Sequence, residues 1–225
     1  MISFGKPLAT FPDHALGKPT PASRLCALLV IASLFGGVAM ADEQSSAAQM
    51  MDDLMFGRGT VGGPFTLTDQ TGKKRSDSEF RGKLMIVYFG YTYCPDVCPA
   101  DLMAITQALD ALGAAAEGVQ PVFITVDPER DTKVLAGYVA AFHRSLIGLT
   151  GTPEEIRKVA NAYKAYYAKV PGERSEEYSI DHAGVIYLMG RNGEYLGFLP
   201  PQTNPKRLTE VLRKYLASSP PSALR

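Results

Sequence analysis

Histidine and cysteine are scarce in this chain, with three of each among 225 residues. A structural zinc centre normally takes four protein ligands, so a closed zinc site would use up four of these six residues. Nor is there a surplus of either charge: 23 Lys and Arg balance 23 Asp and Glu. The basic surface needed to track phosphates is therefore missing, which excludes nucleic acid as a partner. No internal repeat is present. The longest apolar run, LCALLVIASLFGGVAMA at 25–41, is short for a membrane span of about 20 residues, although helices of about 17 can cross. No run of small residues stands ahead of Cys26, as a lipoprotein cysteine would have.

That run follows Lys6, Lys18 and Arg24 and ends in Ala39-Met40-Ala41 before Asp42-Glu43, which is the pattern of a secretory segment. Positive residues stay on the cytoplasmic side, so everything after residue 42 is expected in the periplasm, or facing it from the inner membrane. Cleavage after Ala41 and retention as a membrane anchor both fit. The expected organisation is a signal peptide or anchor over 1–41, a tether over 42–61, one domain over 62–217 and a polar, Pro-rich tail over 218–225. His14 then precedes the export segment and Cys26 lies inside it, leaving Cys94, Cys98, His143 and His182 in the domain.

From Gly62 onward, apolar runs of strand length alternate with amphipathic segments. KLMIVYFG (83–90) reads as a central strand covered on both faces, and PVFITV (121–126) as a second. After Pro99, Leu102, Ile105, Leu109 and Leu112 fall at helical spacing. Asp131 is expected to cap a helix carrying Val134, Leu135, Tyr138 and Phe142 on one face. Thr152, Pro153 and Glu155 form a capping box with proline at the first helical position, opening a helix whose face is Ile156, Val159, Ala160, Tyr163 and Tyr167. AGVIYLMGRNGEYLGFL (183–199) reads as a hairpin turning at Arg191-Asn192-Gly193, and Asn204-Pro205 starts a last helix. Lys73, Lys74 and Arg75 read as an exposed hairpin turn. The order β-α-β-α-α-β-β-α predicts an α/β sandwich with a mixed sheet, parallel first and antiparallel at the hairpin. Ligands of such sheets sit beyond the carboxyl ends of parallel strands, where YTYCPDVCP (91–99) follows the first long strand.

Cys94 and Cys98 admit three readings. As a structural bridge they would close so short a loop that little unfolded-state entropy is removed. As a redox pair they lie between a strand and a helix, with Cys98 expected at the cap, where the helix dipole would ease its ionisation. Against this, Pro95, Asp96 and Val97 make three intervening residues rather than the oxidoreductase two, and Asp181-His182-Ala183-Gly184 lacks the proline such enzymes set opposite their thiols. A peroxidase is a weaker third class, because Thr92 stands two rather than three residues before Cys94. As metal ligands they need a third partner. His143, near a helix end, suits the last carbonyls; His182, in a loop before a strand, can be brought over the cysteines. Two thiolates and an imidazole are a soft set that suits trigonal Cu(I), or Cu(II) with a further donor. An exported, low-coordinate site of this kind points to carriage of the ion. Of the neighbours, Asp127 to Thr132 lie at the same sheet edge and read as a helix start, with Asp131 as its cap. Asp96 reads as a solvent-facing turn residue, and the tyrosines at 88, 91 and 93 as core and rim.

GPFTLTDQTG, FRGKLMIVYFGYTYCPDVCPADL, FITVDPERDT and DHAGVIYLMGRNGEYLGF, in this order between about Gly62 and Leu216, resemble the Sco/SenC family of copper chaperones that assemble cytochrome c oxidase. The resemblance implies a thioredoxin-like three-layer fold tethered outside the membrane. It implies copper held by Cys94, Cys98 and His182, one ion per domain. It further implies a client, the dinuclear copper centre of oxidase subunit II or another copper enzyme, either supplied with copper or with its cysteines reduced. The alternative is a thiol-disulfide oxidoreductase or redox sensor acting through Cys94 and Cys98 alone. Because joined cysteines lose both thiolate donors, a separate thiol reductant is implied as a partner in an oxidising compartment.

Overall fold

The computed structural model describes residues 60–172 and 178–218. The expected export segment, the tether up to residue 59 and the tail beyond residue 218 lie outside the described residues. Among the described residues no helix is long and apolar enough to cross a membrane.

Nine strands form, β1 (Thr66–Asp69), β2 (Lys74–Ser76), β3 (Leu84–Gly90), β4 (Val119–Thr125), β5 (Ile147–Thr150), β6 (Tyr167–Pro171), β7 (Tyr178–His182), β8 (Ile186–Met189) and β9 (Tyr195–Leu199). Seven make one sheet in the order β2-β1-β5-β4-β3-β8-β9, while β6 and β7 pair only with each other. Strands β3, β4 and β5 run parallel, and on the far side β8 pairs antiparallel with β3 and β9 antiparallel with β8. The sheet is thus mixed as expected, parallel at β3, β4 and β5 and antiparallel at the β8–β9 hairpin. Every residue of β3 is buried, because this strand lies between β4 and β8 with helices over both faces.

Successive β3 side chains point to opposite faces. Tyr88 faces helix α1 (Val97–Leu112), where its hydroxyl donates to Asp101. Phe89 faces the other way, 5.5 Å from the Tyr163 ring at the end of helix α4 (Pro153–Ala162). On the α1 side lie also α3 (Leu135–Ala140), whose Tyr138 ring meets Phe123 of β4, and α5 (Pro205–Ala217), packed against α1. The result is a three-layer α/β sandwich. The local signals behave as expected: Glu155 N–H donates to Thr152 Oγ1 at 3.1 Å, Thr152 N–H donates to Glu155 Oε2 at 2.8 Å, and Lys206 N–H donates to Asn204 Oδ1 at 2.9 Å.

Several expectations need correction. The helix predicted after Asp131 is broken into a single turn, α2 (Pro128–Asp131), and the short α3. Asp127, not Asp131, occupies the N-cap of α2, and Val134 is exposed. Tyr167 lies past the end of α4 as the first residue of β6. Strand β5 was not predicted, since IGLT is too short to show a period. The β6–β7 ribbon was also missed, because it pairs only with itself and its strands are short, with Ile180 the sole buried residue of the two. His182, expected in a loop, is the last residue of β7.

Candidate metal centre

Strand β3 ends in Gly90, and its carbonyl accepts from Val126 N–H at 2.8 Å as the parallel pair closes. A Cβ on Gly90 would lie 2.8 Å from Cys98 Sγ and 3.0 Å from both Phe123 and Tyr88. Glycine here lets the buried thiol sit directly on the strand. Helix α1 begins earlier than expected, at Val97, with Asp96 at the N-cap and no side-chain cap. Cys98 is thus inside the first turn, fully buried, while Cys94 is half-buried in the loop before it. Its backbone N–H donates to Cys94 Sγ at 3.4 Å.

The expectation that the helix end would ease Cys98 ionisation is overturned. Burial pushes the thiol up, well past the ordinary cysteine range, and neighbouring Cys94 adds to the rise against a backbone hydrogen bond at Tyr91. At full burial the loss of solvation outweighs the partial charge of a helix terminus, which is worth about 0.3–1 kcal/mol.

His182 comes over the pair from β7. Its Nε2 lies 3.2 Å from Cys98 Sγ, and the ligand atoms of Cys94, Cys98 and His182 all fall within 4.8 Å of one another. The structure thus brings together the three residues singled out in the sequence. Gly184 N–H donates to His182 Nδ1 at 3.1 Å. An amide can only donate, so in neutral His182 the ring proton is on Nε2, facing the sulfur. Burial lowers the His182 pKa and keeps the ring neutral. Tyr88 and Tyr91 hold the imidazole edge-on, at 6.3 and 5.9 Å between centroids. An open cleft of about 380 Å³ leads to the centre past Val97, Ile180 and Pro201. His143 is elsewhere, with Nδ1 2.7 Å from Ser145 Oγ, and takes no part.

Two buried carboxylates brace the centre: Asp131, which the sequence placed at this edge as a helix cap, and Asp101, to which it gave no role. Asp131 accepts from Thr92 N–H at 2.9 Å, Thr92 Oγ1 at 2.6 Å and Thr125 Oγ1 at 2.5 Å. It ties the cysteine loop to the end of β4. Asp101, one turn after Cys98, accepts from Tyr88 Oη at 3.0 Å and Gln202 N–H at 2.6 Å, and burial pushes its pKa up. The available signal for Asp101 was an acid on the buried stripe of an amphipathic helix. Tyr88→Phe keeps the ring but leaves Asp101 Oδ2 unpaired, so it should destabilise the fold by about 1–3 kcal/mol. A denaturant midpoint equal to that of the wild type would refute this.

The SCO1/SenC family model matches residues 55–217. The human SCO1 homolog, a mitochondrial protein, is 38% identical over 190 residues, which is 80% of this chain and 62% of the relative. The chain thus spans less than two thirds of that protein's length. Among solved structures, copper-bound ScoI of Bradyrhizobium japonicum is 42% identical with a TM-score of 0.62, covering 69% of this chain and 99% of that one. Copper-bound yeast Sco1 is 33% identical with a TM-score of 0.67, covering 73% and 92%.

Proposed function

The chain belongs to the SCO1/SenC family, and from that membership and the Cys94–Cys98–His182 cluster we propose that it is an exported copper carrier. In this reading it binds one copper ion through these residues. It delivers the ion to, or first reduces the cysteines of, the dinuclear copper centre of cytochrome c oxidase subunit II. One observation carries the reading: two sulfurs and an imidazole nitrogen converge within 4.8 Å. Soft thiolate donors favour Cu(I), and no fourth Cys or His stands with them among the described residues to complete a closed zinc site. Copper-bound structures of relatives at 42% and 33% identity support the choice of metal.

The chain's own residues set the terms of loading. Cys98 is protonated in the metal-free protein because it is buried, and the Nε2 of His182 carries the ring proton because Gly184 N–H occupies Nδ1. The thiol proton has to leave and the ring proton has to move from Nε2 to Nδ1 for these atoms to act as donors, so uptake releases the thiol proton and strengthens as pH rises. A proton moved to Nδ1 would confront the Gly184 amide, so His182 becomes a ligand only with a shift of the turn after it. That linkage suits a site that must also let go. The half-open cleft gives a client access. A thiol reductant keeps Cys94 and Cys98 reduced. The signal or anchor over 1–41, the tether over 42–61 and the tail over 218–225 complete the proposal, supported by the apolar run at 25–41.

The competing reading, a thiol-disulfide oxidoreductase, acts through Cys94 and Cys98 without His182. Substituting His182→Ala with both cysteines intact separates the two. In the reduced full-length chain it should weaken Cu(I) at least about tenfold, about 1.4 kcal/mol, and leave insulin reduction unaffected. Unchanged copper affinity would rule out the three-ligand site.

A further inference from the structure

The two ligand-bearing segments belong to different parts of the fold. Cys94 and Cys98 follow the central strand, whereas His182 ends a two-stranded ribbon that joins neither edge of the main sheet. A lone two-stranded ribbon is marginally stable in water, so the position of His182 depends on what fastens the ribbon down. Near His182 the fastening is Ile180, which is buried, and Ala183 N–H, which donates to Tyr166 O at 3.1 Å. At the other end of β7 it is a group of contacts centred on Arg130 of α2.

The Arg130 guanidinium carbon lies 3.7 Å from the centroid of the Tyr178 ring, and Nη1 donates to the Tyr178 carbonyl at 3.0 Å. Its Nε donates to Asp127, a fully buried carboxylate. Tyr178 Oη donates to the other oxygen of Asp127 at 2.9 Å, so Asp127, Arg130 and Tyr178 form a closed triangle. The same guanidinium also lies near two rings of the cysteine loop, Tyr93 at 5.0 Å and Tyr91 at 5.9 Å. Tyr91 in turn meets the His182 ring edge-on. Arg130 therefore stands between the loop that carries the thiols and the strand that carries the imidazole. Next to it in α2, Asp131 holds Thr92 of the same loop. A planar group with a fixed fork of donors can stack on a ring, bond a carbonyl and bond a carboxylate at once, which an ammonium cannot.

We propose that Arg130 is a positioning residue: by joining Tyr178 and Asp127 to the tyrosines of the cysteine loop, it holds the His182 ribbon over the thiols and so sets how tightly the third ligand binds. The proposal rests on the three-ligand reading above. The exposed Lys169–Glu129 pair at 2.6 Å spans the same two segments, but solvent-exposed pairs contribute little, and it serves as a control.

The test is a double-mutant cycle on the reduced full-length chain, with Cu(I) partitioned against a chromophoric chelator. Arg130→Ala should lower affinity by about tenfold to a hundredfold, the range for residues that orient metal ligands. It should cause no further loss in a His182→Ala background, since a residue acting through His182 has nothing left to position. Glu129→Gln should leave affinity unchanged. Wild-type affinity in Arg130→Ala, or an equal loss in both backgrounds, overturns the proposal. A His182→Ala protein that binds as the wild type does identifies the three-ligand reading itself as the failure. Should Arg130→Ala not fold, Tyr178→Phe removes only the hydroxyl bond to Asp127. In that metal-free variant the amides of β7 should exchange faster with solvent while those of α1 keep their protection; unaltered exchange in β7 overturns the proposal equally.

Discussion

Cys98→Ser is expected to abolish stoichiometric Cu(I) binding while leaving the chain folded. The sulfur is the donor nearest the imidazole, 3.2 Å from His182 Nε2. Serine replaces a polarisable thiolate by a hard hydroxyl that does not ionise at neutral pH, and Cu(I) selects soft sulfur. Perturbing residues that merely orient a metal ligand costs about 10–100-fold in affinity, so losing the ligand should cost at least about a hundredfold, or about 2.7 kcal/mol. The fold should tolerate the change. The new hydroxyl is buried but has Nε2 within reach, so it is not left without a partner. Cys94→Ser should behave alike, with a smaller structural effect because Cys94 is only half-buried. Copper content of the reduced, gel-filtered chain decides it: one equivalent retained by either variant would contradict the assignment of that sulfur.

The second large effect concerns stability. Asp131→Ala leaves three donors, Thr92 N–H, Thr92 Oγ1 and Thr125 Oγ1, facing an apolar methyl. Each buried unsatisfied group costs about 1–3 kcal/mol, although hydroxyls can turn elsewhere, so a total loss of about 3 kcal/mol is expected. Asp131→Asn keeps one acceptor oxygen, which can serve Thr92 N–H and Thr125 Oγ1 while its NH2 donates to a turned Thr92 hydroxyl, and should cost less. The pH dependence discriminates further. Burial raises the Asp131 pKa above its ordinary value of 3.8, despite the hydrogen bonds from Thr125 and Thr92 that oppose the rise. For a carboxyl raised in the folded state, the stabilisation is fully present below the unfolded value and is lost as pH climbs through the folded one. The wild type should therefore lose stability relative to Asp131→Asn on going upward from about pH 4. Denaturant midpoints of the two proteins across that interval give the answer, and a constant difference would contradict a raised Asp131.

Elements whose cause is local were legible in advance. The burial of β3 follows from an unbroken apolar run, and the start of α4 from a capping box in which Thr152 and Glu155 satisfy each other's backbone amides. Elements whose cause is tertiary were not. The β6–β7 ribbon was missed because β6 runs from half-buried to exposed with no apolar stripe and β7 buries Ile180 alone. α2 and α3 looked like one helix because Leu135 and Tyr138 keep a helical spacing, yet Asp131 turns away from the helix to bind Thr92 and Thr125. Its carboxylate is an ordinary cap to the eye until a loop 39 residues earlier supplies better donors.

The candidate ligands were legible in the sequence alone, since Cys94, Cys98 and His182 stood out from so small a stock of cysteine and histidine. Only the tertiary structure decided their chemical state and what holds them. Whether Cys98 ionises readily depends on how much solvent reaches it, and whether His182 carries its proton on Nε2 depends on where the Gly184 amide points. Burial and hydrogen-bond geometry are properties of groups brought together from distant positions, so no reading of neighbours along the chain contains them.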